Sequence, residues 1–362
     1  MKAFQSLIVV LVLFGALGIT AAQESEFETE WVCPEGFAGQ TLNVYNWATY
    51  IGSETVPTFE ELCDVTVNYD TFDTNESLIA RLRQGNPGYD VAFPNEYAVT
   101  IMIRDELIQP INLENIPNFS NIAEKWQGMD FDPENQYSVP YLWGTMGIGI
   151  NTERVQEPIT SWTQFFEHDG PVSLIADIRS TFPIALTMLG LDPNSTDPAE
   201  IEAAYEYLLE NSGNVVAFND GTVSILELGE VDMAVVYSGD AYELALDCEC
   251  DTYVYVVPEE GSIADISNAV IPVGAQNPAL AEVFIDYLLD PAVNAAIINE
   301  RPYATPNQAA IDSGLIDEAL LNNPAVMPDE EALQNLFFLE DVSEVEQVYN
   351  DFWDQLRIFA GQ

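Results

Sequence analysis

Lysine is almost missing from this chain. Only Lys2 and Lys125 occur in 362 residues, Lys and Arg together number 9 against 60 Asp and Glu, and His168 is the single histidine. A net charge of −51 at pH 7 leaves no basic patch to neutralise phosphates, so nucleic acid and anionic lipid are excluded as partners. Cations would be drawn to such a surface. Adaptation of an exported protein to high external salt would produce the same composition, and at about 1 M salt the screening length of only ~3 Å would abolish long-range steering. Charge alone leaves both readings open.

Catalytic signatures are also missing. The chain has no G-x-S-x-G elbow, phosphate-cradling G-x-x-x-x-G-K, dinucleotide fingerprint or H-E-x-x-H helix. His168 sits in the polar stretch FEHDG with no ligand cluster around it, so neither a metal centre nor a cofactor is expected. Among sixty acids a glycosidase-like carboxylate pair can be drawn almost anywhere and carries little information. A secreted acidic hydrolase is kept as the alternative from another functional class.

Long apolar runs are limited to one. MKAFQSLIVVLVLFGALGITAAQ carries Lys2, the apolar run Leu7 to Ile19, and the small residues Thr20, Ala21 and Ala22. This pattern predicts a signal peptide over 1–22, cleaved after Ala22, since the run is too short to span a bilayer comfortably. Cys33 follows Glu30-Trp31-Val32 rather than a small-residue lipobox, which argues against a lipid anchor. The mature chain is expected in the periplasm or outside the cell, opening with an acidic leader over 23–39.

Four cysteines in an exported chain allow three disulfide connectivities. Cys33 precedes the first predicted strand and Cys63 ends the first predicted helix, placing both on one edge of a strand-helix-strand unit. That pair is preferred, which leaves Cys248 and Cys250 as a strained C-x-C pair or free thiols.

What is present is an alternation of Val/Ile/Leu/Tyr-rich runs with segments of helical period, which predicts an α/β fold; 48% hydrophobic content suffices for two lobes. Leu42 to Asn46, Val65 to Tyr69 and Tyr89 to Pro94 read as strands of a parallel sheet. Helices between them start at Thr55 and Asn75, each read as a cap, and Tyr97 to Leu107 forms a third. YSVPYLWGTMGIGIN has no helix between its halves and reads as chain crossing between lobes, with a hinge near Tyr141 to Gly149. Beyond it come strand Val172 to Ala176, helix Thr181 to Leu189, helix Pro198 to Glu210 capped by Asp197, and helix Val223 to Leu228. Strands Met233 to Tyr237, Tyr253 to Val257 and Asn268 to Pro272 follow, then two helices broken at Pro291 and a last helix, Val345 to Phe359.

Aromatics beside polar residues cluster at the carboxyl ends of predicted strands: Trp47 and Tyr50, then Tyr97, then Tyr237 with Ser238, Gly239 and Asp240. Open α/β sheets bind ligands at that edge, where strand order reverses. Rings there can wall an elongated apolar ligand or cover cationic groups, at ~0.5–2 kcal/mol per contact.

NVYNWATYIG, YDVAFPNEYAVTIMIRDELIQPIN, NFSNI, YSVPYLWGTMGIGIN, DPNSTDPAEIEAAY and YATPNQAA together resemble the periplasmic spermidine/putrescine-binding proteins of ABC transporters. The resemblance runs in order from about Leu42 to the C-terminal helix. It implies a two-lobed type II periplasmic binding protein, each lobe a mostly parallel sheet flanked by helices. The implied lobes are 40–143 plus about 268–308, and about 144–267 plus 309–362. Such a protein closes on a polyamine, as a monomer, and docks on the permease subunits of its transporter.

Position by position, the resemblance implies that Trp47, Tyr50, Tyr97 and Tyr303 are cleft aromatics and that Tyr237 replaces a tryptophan. Asn95 stands for a serine, Asp177 for a carboxylate that holds an amine, and Asp240 for an aspartate of putrescine-type receptors. Ser180 replaces a glutamate, Ser267 an aspartate, Asp265 an aromatic and Leu339 a glutamine. Asp177 and Asp240, with Asp265 third, are therefore the candidates for pairing with ammonium groups. These departures keep another cation or a zwitterion, such as an amino acid or quaternary amine, as the alternative ligand.

Overall fold

Strand β1 (Thr41–Trp47) alternates half-buried and buried residues, with Leu42 and Val44 turned into the core. It pairs in parallel with β2 (Thr66–Phe72) on one side and β3 (Val91–Ala92) on the other. Parallel neighbours need long crossovers. The helices Thr55–Cys63 and Asn75–Arg83 supply them. The computed structural model of the chain describes residues 28–219, 221–248, 252–328 and 333–359. The expected signal peptide, 1–22, and the first five residues of the expected leader, 23–27, lie outside them.

The remaining strands are β4 (Ile108–Gln109), β5 (Ser138–Asn151), β6 (Val172–Leu174), β7 (Val215–Phe218), β8 (Met233–Tyr237), β9 (Tyr253–Val256), β10 (Ser262–Pro272) and β11 (Leu336–Phe338). Their order is β2-β1-β3-β10-β5-β8-β6-β7, with β4 and β11 added to β10 and β9 to β5. The long β5 and β10 are antiparallel partners and carry the chain between two lobes. Ser138 to Thr145 of β5 pairs with β10, whereas Met146 to Ile150 pairs with β8. Parallel strands flank this crossing on both sides, β1, β2 and β3 in one lobe and β6, β7 and β8 in the other. Every residue of β5 is buried. Gly147 lets β9 come close, because a Cβ there would stand 2.4 Å from the Val256 carbonyl oxygen.

Leu42, Val44, Phe59, Phe284 and Tyr287 belong to the first-lobe core, and Ala310, Ile316, Leu320 and Val326 pack into the same cluster. This stretch buries its apolar face against the helix Pro291–Glu300 and its neighbours. The second lobe packs Trp162, Phe182, Ile201, Tyr349 and Trp353 together, with the helix Glu346–Phe359 on the helix Pro198–Asn211.

The described part of the expected leader is no free linker. Trp31 sits edge-on to Tyr287 at 5.0 Å and its indole N–H donates to Asp286 at 2.9 Å. Two residues on, Cys33 is bonded to Cys63 with the Cα atoms 5.2 Å apart. Cys248 is disulfide-bonded as well, which removes the free-thiol reading there, and Cys250 lies outside the described residues. Two caps also differ from expectation. Thr74, not Asn75, accepts from Ser77 N, and the first helix is preceded by Glu54, with Thr55 already inside it. Among the described residues no helix is long and apolar enough to cross a membrane.

Candidate functional site

The carboxyl ends of β1, β3, β6 and β8 lead to Trp47 and Tyr50, to Asn95 to Tyr97, to Asp177, and to Tyr237 to Asp240. All open toward the crossing of β5 and β10, where the strand order switches from one lobe to the other. Asp265 and Ser267 enter from β10 itself.

On the first-lobe side the aromatic side chains are tied by their polar atoms. The Trp47 indole donates to the Phe93 carbonyl at 2.9 Å, and its ring lies 4.5 Å from Phe72. Tyr50 is buried, with its ring 4.6 Å from that of Tyr303 in an edge-on contact, and its carbonyl accepts from the Tyr141 hydroxyl at 2.8 Å. Asn95 begins the helix Glu96–Arg104. Its N–H donates to Asn75 Oδ1 at 3.0 Å, and its own Oδ1 accepts from Ser267 Oγ at 2.9 Å. Asn75 was thus drawn off its expected cap to hold Asn95. Buried Tyr97 donates its hydroxyl to Glu76 at 3.0 Å.

The second-lobe side carries charge at helix N-termini. Asp177 caps the helix Ile178–Met188, which starts earlier than expected, accepting from Arg179 N at 3.0 Å and from Ser180 Oγ at 2.6 Å. Its carboxylate therefore has capping work in addition to any ligand. Tyr237 immediately precedes the helix Ser238–Asp247 and remains 36% exposed. Asp240, in that helix's first turn, accepts from the Tyr303 hydroxyl at 3.0 Å. Tyr303 lies flat over Gly239, where a Cβ would come within 2.5 Å of its ring. Two further ion pairs span the lobes, Arg301 with Glu243 at 3.2 Å and Arg104 with Asp341.

Among the described residues Asp240, Asp265 and Glu96 form no ion pair with a cation, whereas Glu76 feels the Arg179 charge. Burial, reinforced by the Asp240 charge, pushes Asp265 up to about 6. Burial likewise raises Asp240, against the opposing effect of the Tyr303 hydroxyl. Glu96 rises to about 8, first through burial and then through Asp265, opposed by the N–H groups of Ile266, Leu339 and Glu96 itself. Glu76 is raised by desolvation and next by Asp177. Burial also keeps the phenols of Tyr50, Tyr97 and Tyr303 protonated. Among the described residues no group of three or more side chains is arranged to hold a metal ion.

Of the nine positions singled out from the sequence, Tyr50 contacts Tyr303 and Tyr303 contacts Asp240, Asp265 is close enough to act electrostatically on Tyr50 and Tyr303, and Asn95 is hydrogen-bonded to Ser267. Tyr97 and Asp177 approach each other across Glu76. Trp47 connects through Phe93, two residues before Asn95. Tyr237 senses Asp177, Asp265 and Asp240. Sequence reasoning missed Glu76, Glu96 and Tyr255, whose hydroxyl lies 2.7 Å from Thr145 Oγ1. Glu96 adjoins the recognised Asn95 and Tyr97. Glu76 had no signal beyond its place in a helical first turn.

Residues 54–328 match the family of bacterial extracellular solute-binding proteins. The chain belongs to this family. Within it, the chain is similar to the spermidine/putrescine-binding periplasmic protein of Escherichia coli, 33% identical over 94% of this chain and 95% of that one. The putrescine/agmatine-binding protein of Pseudomonas aeruginosa is 30% identical over 96% and 97%. Among solved structures, a spermidine/putrescine ABC transporter substrate-binding protein of Streptococcus pneumoniae superposes with a TM-score of 0.79 at 30% identity, covering 89% of this chain and all of that one. A Treponema pallidum lipoprotein gives 0.80 at 28%, over 88% and 99%. The family's two-lobed α/β architecture is the one described above.

Proposed function

We propose that this solute-binding protein captures a polyamine, putrescine or spermidine, in the crevice between its lobes and delivers it to an ABC permease. One observation carries the reading. Asp240 accepts from the Tyr303 hydroxyl, the Tyr303 ring meets that of Tyr50, and among the described residues neither Asp240 nor the neighbouring Asp265 forms an ion pair with a cation. A polyammonium ligand surrenders water on entry, and buried carboxylates and ring faces are what can replace it. In this reading Asp177, Asp240 and Asp265 pair with ammonium groups. Trp47, Tyr50, Tyr97, Tyr237 and Tyr303 line the methylene chain, and Asn95 orients the floor.

The first lobe runs over 40–143 and about 268–328, and the second over about 144–267 and 336–359. They close about the β5 and β10 crossing, and the closed form is what the permease reads. The protein works as a monomer by binding, without catalysis, in the periplasm or at the cell exterior after loss of its signal peptide. Thermal shift and calorimetry against putrescine, spermidine, amino acids and betaine test this. Stabilisation by the polyamines, with the ligand recovered unchanged, is expected. Stabilisation by a zwitterion alone would replace the proposed ligand, and turnover would replace the class.

A further inference from the structure

One buried acid beside the candidate site has no part in the pairing described so far. Glu96 is 2% exposed and sits in the first turn of the helix Glu96–Arg104. Its Oε2 accepts from Ile266 N at 2.9 Å, so the carboxyl is held against β10 beside Asp265, while its Oε1 has no hydrogen-bond partner. An unpartnered carboxylate oxygen in a dry site is costly unless a proton or a cation occupies it.

Among the described residues no Lys or Arg forms an ion pair with either member of the pair. Glu96 is faced by Asp265 from β10, by the phenol of Tyr50 from the loop after β1, and by the Leu339 backbone N–H. Asp265 is faced by Asp240 and by the phenols of Tyr50, Tyr237, Tyr255 and Tyr303. Two carboxyls so placed titrate as a unit and resist ionising together.

We propose that Glu96 and Asp265 form one acidic unit that holds a proton in the empty crevice and gives it up to solvent when an ammonium group binds, so that polyamine capture is coupled to proton release. The inference rests on the function proposed above. Alkylammonium groups such as that of lysine titrate near ~10.4, so the ligand's amines hold their protons more firmly than the acidic unit does near neutral pH. The released proton therefore comes from the protein. Binding is then tighter at high pH, where the unit is already ionised, and weaker at low pH, where ligand and proton compete. Raised carboxyl affinities for protons at both residues agree with this direction.

The test is calorimetry with putrescine and with spermidine near neutral pH, in buffers of low and high ionisation enthalpy, repeated across the range where the unit titrates. Wild-type protein is expected to release on the order of one proton per ligand, with affinity rising up to about tenfold per pH unit. Glu96→Gln keeps an acceptor for Ile266 N but cannot ionise. It is expected to bind like wild type at the acidic end, to fall about tenfold behind at the alkaline end, and to lose most of the proton release. A merely structural role would weaken binding equally at every pH. Asp265→Asn should flatten the profile in the same way and decides the matter where Glu96→Gln does not fold. Tight binding with no proton exchange in wild type, or exchange undiminished in the variants that fold, overturns the coupling alone. No binding of either amine at any pH overturns the proposed function together with it.

Discussion

In the proposed site the first-lobe residues and the second-lobe residues are held in different ways. Trp47, Tyr50, Tyr97 and Tyr303 have their polar tips engaged, by Phe93, Ser267, Glu76 and Asp240 respectively, so their ring faces are set before any ligand arrives. Across the crevice Tyr237 stays exposed, and the second lobe presents Asp177 and Asp240 at the starts of two helices. A helix N-terminus favours negative charge by ~0.3–1 kcal/mol. In the proposed site one side supplies held rings and the other supplies charge. In the function proposed above, fixed rings lower the entropic cost of binding, and a cationic guest relieves the repulsion among the acids.

Removing charge from the second wall should break this contrast most severely. Asp240→Asn is expected to cost roughly 2–5 kcal/mol of polyamine affinity, measured by calorimetry, with little change in melting of the empty protein. An unchanged affinity would take Asp240 out of the site. The stiffness of the first lobe is probed by replacing Cys33 and Cys63 with alanine, which should lower its stability by about 2–4 kcal/mol. Denaturation followed by hydrogen exchange should show that loss near Trp31 and the helix Thr55–Cys63 rather than in the second lobe.

A third measurement sharpens the electrostatic side. Asp265 binds its proton more tightly in the folded state, so its contribution to stability is complete below its ordinary value of 3.8 and is lost as pH rises through about 6. Subtracting the Asp265→Asn pH profile from that of the empty wild-type protein should reveal a decline on the order of 1–3 kcal/mol across that window. A flat difference would mean that Asp265 is solvated. Smallest of all is Ser180→Ala, which frees one Asp177 oxygen from its hydroxyl partner. Affinity should shift by less than about 1 kcal/mol, and upward if that oxygen then turns to the ligand.

Much of this was legible in the chain. The helix Pro198–Asn211 begins where Asp197 and Pro198 announce it, and Asp197 does accept from Ala199 N. The Cys33 to Cys63 bridge followed from a strand-helix-strand spacing. Short strands were harder. Val215–Phe218 is four residues long, and Ile108–Gln109 and Leu336–Phe338 are shorter still, too brief for a period-two signal. The latter two exist because β10 offers them an edge.

Local pattern thus determined the α/β class, most helices, the crossing chain and the aromatic strand ends, because capping, periodicity and turn chemistry act over a few residues. Tertiary structure alone decided that Trp31 is pinned by Asp286, that Ala310, Ile316 and Val326 pack with Leu42 and Phe284, and that Asn75 serves Asn95 instead of a helix. It also decided that Glu96 is buried against Ile266, some 170 positions away. Such contacts join residues whose separation in sequence leaves no periodic trace, and an acid among sixty acquires a role only when folding withdraws water and counter-charge from it.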